Sequence, residues 1–337
     1  MRHMSDTSLR DARAAMAVAR DGAELAGAAA AARLRVRAAV SDRVSAAALA
    51  AEWSALCAAA VAAAVRCVGD GGHWYVSGSV GRGEALPGAD LETLVCSAPD
   101  TTADDALAGA AAVHQLLADC GFTEDPHGAF AARGRFNRSA ADWSAGIAKW
   151  AARPEADRGV VMTGLLSDAV AVTGGPDLRA EAAAAAREQP AALSAMLEDA
   201  TAVRAQVPPR LRIFGGGGAV DVKRAIIDPV VRIGRWAALS VGADALSTPD
   251  RLAAAAGSAY LDDHDAALLT RSHRIGVAIR WRLRAEVFDS PGPPPDTAEM
   301  SALTPADRTA LRHIGREVNG VCRKLRYLAS TSAFSRW

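Results

Sequence analysis

At 337 residues the chain is long enough to bury a full core and exceeds the length at which single cores usually stop growing, so two domains are expected. Hydrophobic residues make up 50% and charged residues 23%, which excludes a chain disordered throughout. Lysine plus arginine balance aspartate plus glutamate at 38 each, leaving no overall field to draw nucleic acid or an anionic membrane; neither partner is expected, and any anion site must be local.

From about residue 9 to 68 the sequence is alanine-rich and free of proline, which favours helices by propensity alone. Its most apolar part, "AALAAEWSALCAAAVAAAVRCV", is dominated by alanine and carries Glu52, so it reads as a buried helix rather than a lipid-facing span. The opening "MRHMSDTSLRDARAAM" has no apolar h-region and no cleavage site, so no signal peptide is expected. Cys57, Cys67, Cys96, Cys120 and Cys322 are odd in number and form no C-x-x-C pair, which argues against a disulfide framework and structural zinc and for a cytoplasmic protein.

Strand-like text begins at "HWYVSG". In "ADDALAGAAAVHQLLADCG", Leu107, Ala110, Val113 and Leu117 recur at helical spacing, with acids in the first turn and Gly121 past the end, predicting a helix packed on a sheet. A further short strand is predicted over 126–133. The rest reads as helical, with one helix starting at Asp228-Pro229 and another at Thr304, Pro305 and Asp307. In the latter, Leu311, Ile314, Val318 and Leu325 mark an apolar stripe. Residues 289–300, "DSPGPPPDTAEM", read as an extended surface loop, and no internal repeat is found.

Residues 76–96, "VSGSVGRGEALPGADLETLVC", carry the chemistry. In a strand, Asp90 and Glu92 share one face with alpha carbons about 7 Å apart, while Leu91, Thr93 and Val95 take the other. Two acids so placed suit Mg²⁺, or Mn²⁺, with nucleotide phosphates as further ligands. Gly78 and Ser79 close the preceding strand and open a turn whose N–H groups favour a phosphate, Arg82 lies one turn on, and Glu84 is placed to pair with Arg82. Singly these are weak signals; a lone acid-x-acid usually lies on a solvated edge, and it is their order that has meaning.

That order, "GSVGRGEALPGADLETLV", resembles the G-S-x-G-R-x-E…[ST]-D-x-D-x-x-L motif of the predicted nucleotidyltransferases grouped with the N-terminal part of protein-PII uridylyltransferase, within the polymerase-beta-like superfamily. "CGFTEDPHGAFAARGRFNRSAADWSAGIAKWAARPE" is similar to the segment that links sheet to helices in that family, with its R-S…W pattern at Arg138, Ser139 and Trp143. "LLSDAVAVTGGPDL" echoes its F-D-L-R-P-V-x-G segment. "AVDVKRAIIDPVVRIGRWAALSVGADALSTPDRLAAAA" resembles the opening of its helical substrate-binding domain, with a D-x-K at Asp221 and Lys223, an A-R-x-x-A-L-like element at Arg235 and Leu239, and T-x-x-R-L at Thr248, Arg251 and Leu252. This chain departs at Glu92, where the family has aspartate, at "PGA" before Asp90, and at Val170, where it has arginine. A third carboxylate has no matched position; Glu124, Asp125 and Asp168 are the candidates.

The resemblance implies an α+β protein: an N-terminal helical segment over 1–68, a small mixed-sheet polymerase-beta-like nucleotidyltransferase domain over 69–136, and a helical substrate-binding bundle over 137–337. It implies Mg²⁺-dependent transfer of a nucleoside monophosphate from an NTP to a hydroxyl of a protein or small-molecule acceptor. Asp90 and Glu92 would hold the metal, Gly78 and Ser79 the phosphates, and Arg82 would offset developing charge, with Lys223 and Arg235 as further nucleotide-binding cations. The competing expectation is a nucleotide-binding regulator whose site lost turnover with the D-x-E change; a purely structural helical protein would leave the order at 78–92 to coincidence.

Other features carry less. "FGGGGAVDVK" lacks the G-K-[ST] of a phosphate loop and reads as a turn. Arg232, Arg235, Arg271, Arg274, Arg280 and Arg284 form pairs at helical spacing, a salt-bridged face or a patch for phosphates or acceptor. The histidines lack zinc-enzyme spacing, with His127 the one placed in a predicted strand, and "VSGSVG" is not a hydrolase elbow. Trp143, Trp150, Trp236 and Trp281 read as core.

Overall fold

A computed structural model describes residues 2–41, 44–122, 128–208, 218–286 and 296–330. Helices α1 (Arg2–Val18), α2 (Gly22–Ser41) and α3 (Ala46–Val68) lead to β1 (His73–Val76), the single turn α4 (Gly78–Gly81), β2 (Thr93–Cys96), α5 (Ala103–Asp119), β3 (Asn137–Arg138) and α6 (Ala140–Ala152). Then follow α7 (Gly159–Leu166), β4 (Val170–Ala171), α8 (Leu178–Glu188), α9 (Pro190–Ala202), β5 (Ala219–Asp221), α10 (Asp228–Val241), α11 (Thr248–Ala255), α12 (Asp263–Glu286), β6 (Thr297–Glu299) and α13 (Pro305–Ser330). The fold is α+β, in two compact units: Met1–Ala148 with Leu165–Ala182, and Lys149–Gly164 with Ala183–Trp337. The N-terminal helices therefore belong to the same unit as the larger sheet.

That sheet runs β3-β2-β1-β4, with β1 antiparallel to β2 and β4 and β2 parallel to β3. Trp74, Tyr75 and Val76 of β1 and Leu94, Val95 and Cys96 of β2 are all buried, as strands covered on both faces require. Helix α3 packs against α1, α2 and α5. It is long and apolar enough to cross a membrane, yet 61% of its apolar window is buried inside the protein. Its ends follow local rules: Ser45 accepts from the Ala48 N–H at the start, and Gly69 closes it in the left-handed conformation at φ 80°. In α5, Ala106, Ala110, Val113 and Leu117 are buried and Leu107 half-buried, and Thr102 caps the first turn.

The R-S…W pattern fastens α6 to the sheet. Trp143 is fully buried and donates its indole N–H to the Val95 carbonyl of β2 at 2.8 Å, Arg138 stacks 5.7 Å above the Trp143 ring, and Ser139 accepts from the Asp142 N–H. The strand predicted over 126–133 is not formed in the described part; β3 lies at 137–138. Residues 129–136 instead run beside β2 as turns, because the Arg133 N–H bonds to the Phe130 carbonyl and the Phe136 N–H to that of Arg133. They still serve the edge of β2, since Thr93 donates to the Ala129 carbonyl and Val95 to that of Phe136.

Two of the apolar clusters among the described residues of the second unit join most of its helices. One joins Leu193 and Met196 of α9, Ile233 and Trp236 of α10, Leu252 of α11, Leu269 of α12 and Val318 and Leu325 of α13. The other joins Val220 of β5, Ile226, Ile279 of α12, Ala298 of β6 and Ile314 of α13. Thr304 caps α13, and the predicted stripe of Leu311, Ile314, Val318 and Leu325 is buried. Trp143, Trp150, Trp236 and Trp281 are all buried.

Two expectations change here. Helix α10 does begin at Asp228-Pro229, but a π-helical turn over Lys223–Ile227 leads straight into it, and Asp221, not Asp228, supplies the cap by accepting from the Arg224 N–H at 2.9 Å. Proline crowds the carbonyl four residues earlier, and the wider turn, in which the Asp228 N–H reaches the Lys223 carbonyl, makes room for it. Within 289–300, residues 289–295 lie outside the described residues, whereas Thr297–Glu299 form β6 against β5 with Ala298 turned inward.

Candidate active site

The chain leaves β1 through a tight turn. The Ser77 N–H donates to the Glu92 carbonyl at 2.9 Å, carrying the β1–β2 ladder one step past its last paired residues. Gly78 then takes φ +57°, the left-handed region that glycine alone enters without penalty. Its missing side chain matters as much as its φ: a Cβ there would lie 1.6 Å from Glu92 Oε2 and 2.6 Å from Glu92 Cδ. The Glu92 carboxylate thus rests on the Gly78 backbone. Asp90 and Glu92 do not lie in a strand as expected: β2 begins only at Thr93, because past Val76 the chain bends into the Gly78 turn and a single Ser77–Glu92 bond extends the ladder. Both acids are half-buried, on either side of Leu91 at 2% exposure. Ser79 is half-buried in the turn that starts at Gly78.

Arg82 occupies a different place from the one the sequence suggested. It is 9% exposed; its Nη1 bonds Asp168 Oδ2, and its Nε donates to Glu84 Oε2 at 2.8 Å. Burial alone lowers the pKa of the guanidinium, but the Asp168 and Glu84 carboxylates more than reverse this and raise it, keeping the group charged. A guanidinium held between two carboxylates fixes the loop. Glu84 pairs with Arg82, as predicted. Asp168, a candidate third carboxylate, is fully buried in this ion pair; Glu124, Asp125 and His127 lie outside the described residues.

One neighbouring residue escaped the sequence reading. His114 of α5 is 4% exposed, with Nε2 2.9 Å from the Thr93 hydroxyl, which also accepts from the Ala131 N–H. Its ring lies between Trp74 and Phe130, at centroid distances of 5.8 and 4.2 Å. Burial pushes its pKa down to about 4, so it is neutral at pH 7. Thr93 directly follows Glu92, so this bond anchors the strand end that carries the acids. The only sequence signal was the position of His114 beside Val113 on a buried helix face.

In the second unit, Asp221 is taken up by its capping bond, Lys223 is exposed, and Arg235 is half-buried with its guanidinium against Gly164, where a Cβ would lie 2.9 Å from Nη1. Thr248, Arg251 and Leu252 are buried, with Arg251 Nε donating to the Ala245 carbonyl. Most of the arginine set is salt-bridged: Arg232 to Asp199, Arg271 to Glu317, and Arg280 and Arg284 both to Asp296. Arg274 is exposed and, with Arg271, borders a groove of about 360 Å³ between α11 and α12. Residues 214–217 of the glycine run lie outside the described residues.

A mixed four-stranded sheet whose first strand turns through Gly-Ser beside an acid-x-acid, followed by a separate helical domain, is the arrangement expected of a two-domain nucleotidyltransferase. Family comparison agrees. Residues 30–157 match the family described as "Putative nucleotidyltransferase DUF294", and residues 190–328 match its companion, "Putative nucleotidyltransferase substrate binding domain". The chain belongs to this family of nucleotidyltransferases. A comparison with curated proteins gave no match.

Proposed function

We propose that the protein transfers a nucleoside monophosphate from an NTP to a hydroxyl of a protein or small-molecule acceptor, in the manner of protein-PII uridylyltransferase. The observation that carries this reading is the seating of the Glu92 carboxylate on Gly78, inside the matched nucleotidyltransferase domain. In the reaction the acceptor oxygen bonds to the α-phosphorus, the bond to the α–β bridging oxygen breaks, and pyrophosphate departs.

Asp90 and Glu92 suit a divalent ion: both are half-buried carboxylates one residue apart, and hard oxygen donors are what Mg²⁺ or Mn²⁺ takes. Among the described residues no cluster of three His, Cys, Asp or Glu side chains is found, so phosphate and water oxygens would complete the ligand set. When bound, the ion would neutralise phosphate charge and polarise the α-phosphate. Gly78 and Ser79 receive phosphate oxygens through backbone N–H groups and the Ser79 hydroxyl, as the start of a helical turn favours. Lys223, exposed in the second domain, is assigned to substrate; Arg82 supports the turn within the first domain, and Arg235 packs against Gly164 within the second.

Asp90→Ala removes a carboxylate from this set, and at least a tenfold loss of Mg²⁺-dependent NTP affinity is expected by calorimetry, equivalent to about 1.4 kcal/mol or more. Unchanged affinity would remove Asp90 from the site. Each labelled NTP with Mg²⁺ and cell lysate should transfer label to an acceptor. The second reading, a nucleotide-binding regulator without turnover, draws on Glu92, whose extra methylene lets its carboxylate reach over Gly78. Glu92→Asp separates the two: lower transfer marks Glu92 as an adapted catalytic ligand, whereas transfer that stays absent marks the regulator.

A further inference from the structure

We infer that the segment from Leu165 to Pro176, which neither family match covers, is part of the nucleotide site, with Asp168 its positioning residue. The inference rests on the reading of Gly78 and Ser79 as a phosphate turn. The segment grips that turn at several points. Asp168 is fully buried, and one carboxylate oxygen takes Nη1 of Arg82, the residue that ends α4. The Asp168 carbonyl lies so close to Gly81 that a Cβ there would be 1.9 Å away. Ser77, immediately before the turn, donates its hydroxyl to the Leu165 carbonyl at 2.6 Å.

Beyond Asp168 the same segment continues as β4, pairing Val170 with Val76 and Ala171 with Tyr75. Thr173 Oγ1 accepts from the Trp74 N–H at 2.8 Å, and the Tyr75 hydroxyl donates to the Pro176 carbonyl at 2.7 Å. The last strand before the turn and the turn itself are thus held from behind by one stretch of chain. Asp168 is no third metal ligand on this geometry: its carboxylate faces Arg82, and its work is to fix the N–H groups of Gly78 and Ser79 before substrate arrives. Preorganised donors of this kind lose effect when their support loosens by fractions of an ångström.

The test is hydrogen exchange together with calorimetry on the full chain. Asp168→Asn keeps the shape and removes the charge; exchange of the amides of 78–84 should accelerate at least tenfold while α3 and α5 stay protected, and Mg²⁺-NTP affinity should fall at least tenfold. The charge-swapped pair, Arg82→Asp with Asp168→Arg, should recover protection and part of the affinity, which a general loss of stability would not do. If Asp168→Asn does not fold, Arg82→Lys, which keeps the charge but loses the two-pronged fork, should show the same local acceleration. Unchanged exchange over 78–84 in the folded variant overturns the inference even if NTP binds. Wild-type protein that binds no NTP defeats the transferase reading, and the exchange result still judges the clamp.

Discussion

Gly78→Ala is expected to abolish Mg²⁺-dependent NTP binding while leaving a folded protein that melts several degrees lower. Two penalties coincide at this position. A left-handed backbone costs an alanine about 1–2 kcal/mol, and at about 2–4 °C per kcal/mol for a unit of this size the melting temperature falls by roughly 2–8 °C. The new Cβ would also stand 1.6 Å from Glu92 Oε2, well inside the 3.0 Å below which real Cβ atoms are not found, so the carboxylate must move by more than an ångström. Metal and phosphate positioning tolerates about half an ångström, so binding is lost. Gly83→Ala separates the two effects: Gly83 has φ +71°, yet an added Cβ would meet nothing within 4 Å. It should lower the melting temperature similarly and leave NTP affinity intact. Retained affinity in Gly78→Ala would show that Glu92 is no part of the site.

Stability should also drop sharply on mild acidification, through His114. An unfolded histidine titrates near 6.5, whereas burial holds His114 at about 4. Between those values the unfolded chain binds a proton that the folded one does not, so the contribution is complete above pH 6.5 and is lost as pH falls towards 4. The gap of about 2.5 pH units corresponds to about 3 kcal/mol. Chemical denaturation of the wild type and of His114→Gln at pH 7, 5.5 and 4 measures it. The variant should start less stable and lose less, so the two curves converge at acid pH; parallel curves would mean that His114 does not titrate in this window.

What could be read from the sequence follows the distance over which each feature is encoded. The Gly-Ser turn and the acid-x-acid are local patterns, and so are the caps at Thr102, Thr304 and Ser139. The ion pair of Arg82 is not legible in the sequence because its partner lies 86 positions away and is brought in by the pairing of β4 with β1. A guanidinium one helical turn after a glycine looks the same in sequence whether it meets a phosphate or a buried aspartate. The start of α10 shows the opposite case: Asp-Pro is a strong local signal and α10 begins there, but the cap is taken earlier, at Asp221, by a π-helical turn whose Ile226 and Ile227 pack against Gly276. The residues of 129–136 serve β2 one hydrogen bond at a time, a pattern with no period to detect.

The return of Leu165–Ala182 to the first unit sets a timetable for synthesis. Domains usually fold in order as they emerge, but this one cannot finish at residue 148. Until β4 has been made, β1 keeps a bare hydrogen-bonding edge, and Arg82 has Glu84 but no Asp168 to balance it. By then the whole of α6 and α7 has been synthesised, including residues 149–164, which belong to the other unit. The nascent chain therefore carries an unfinished nucleotidyltransferase domain while its second domain is beginning, and a ribosome stalled in this interval would expose an open strand.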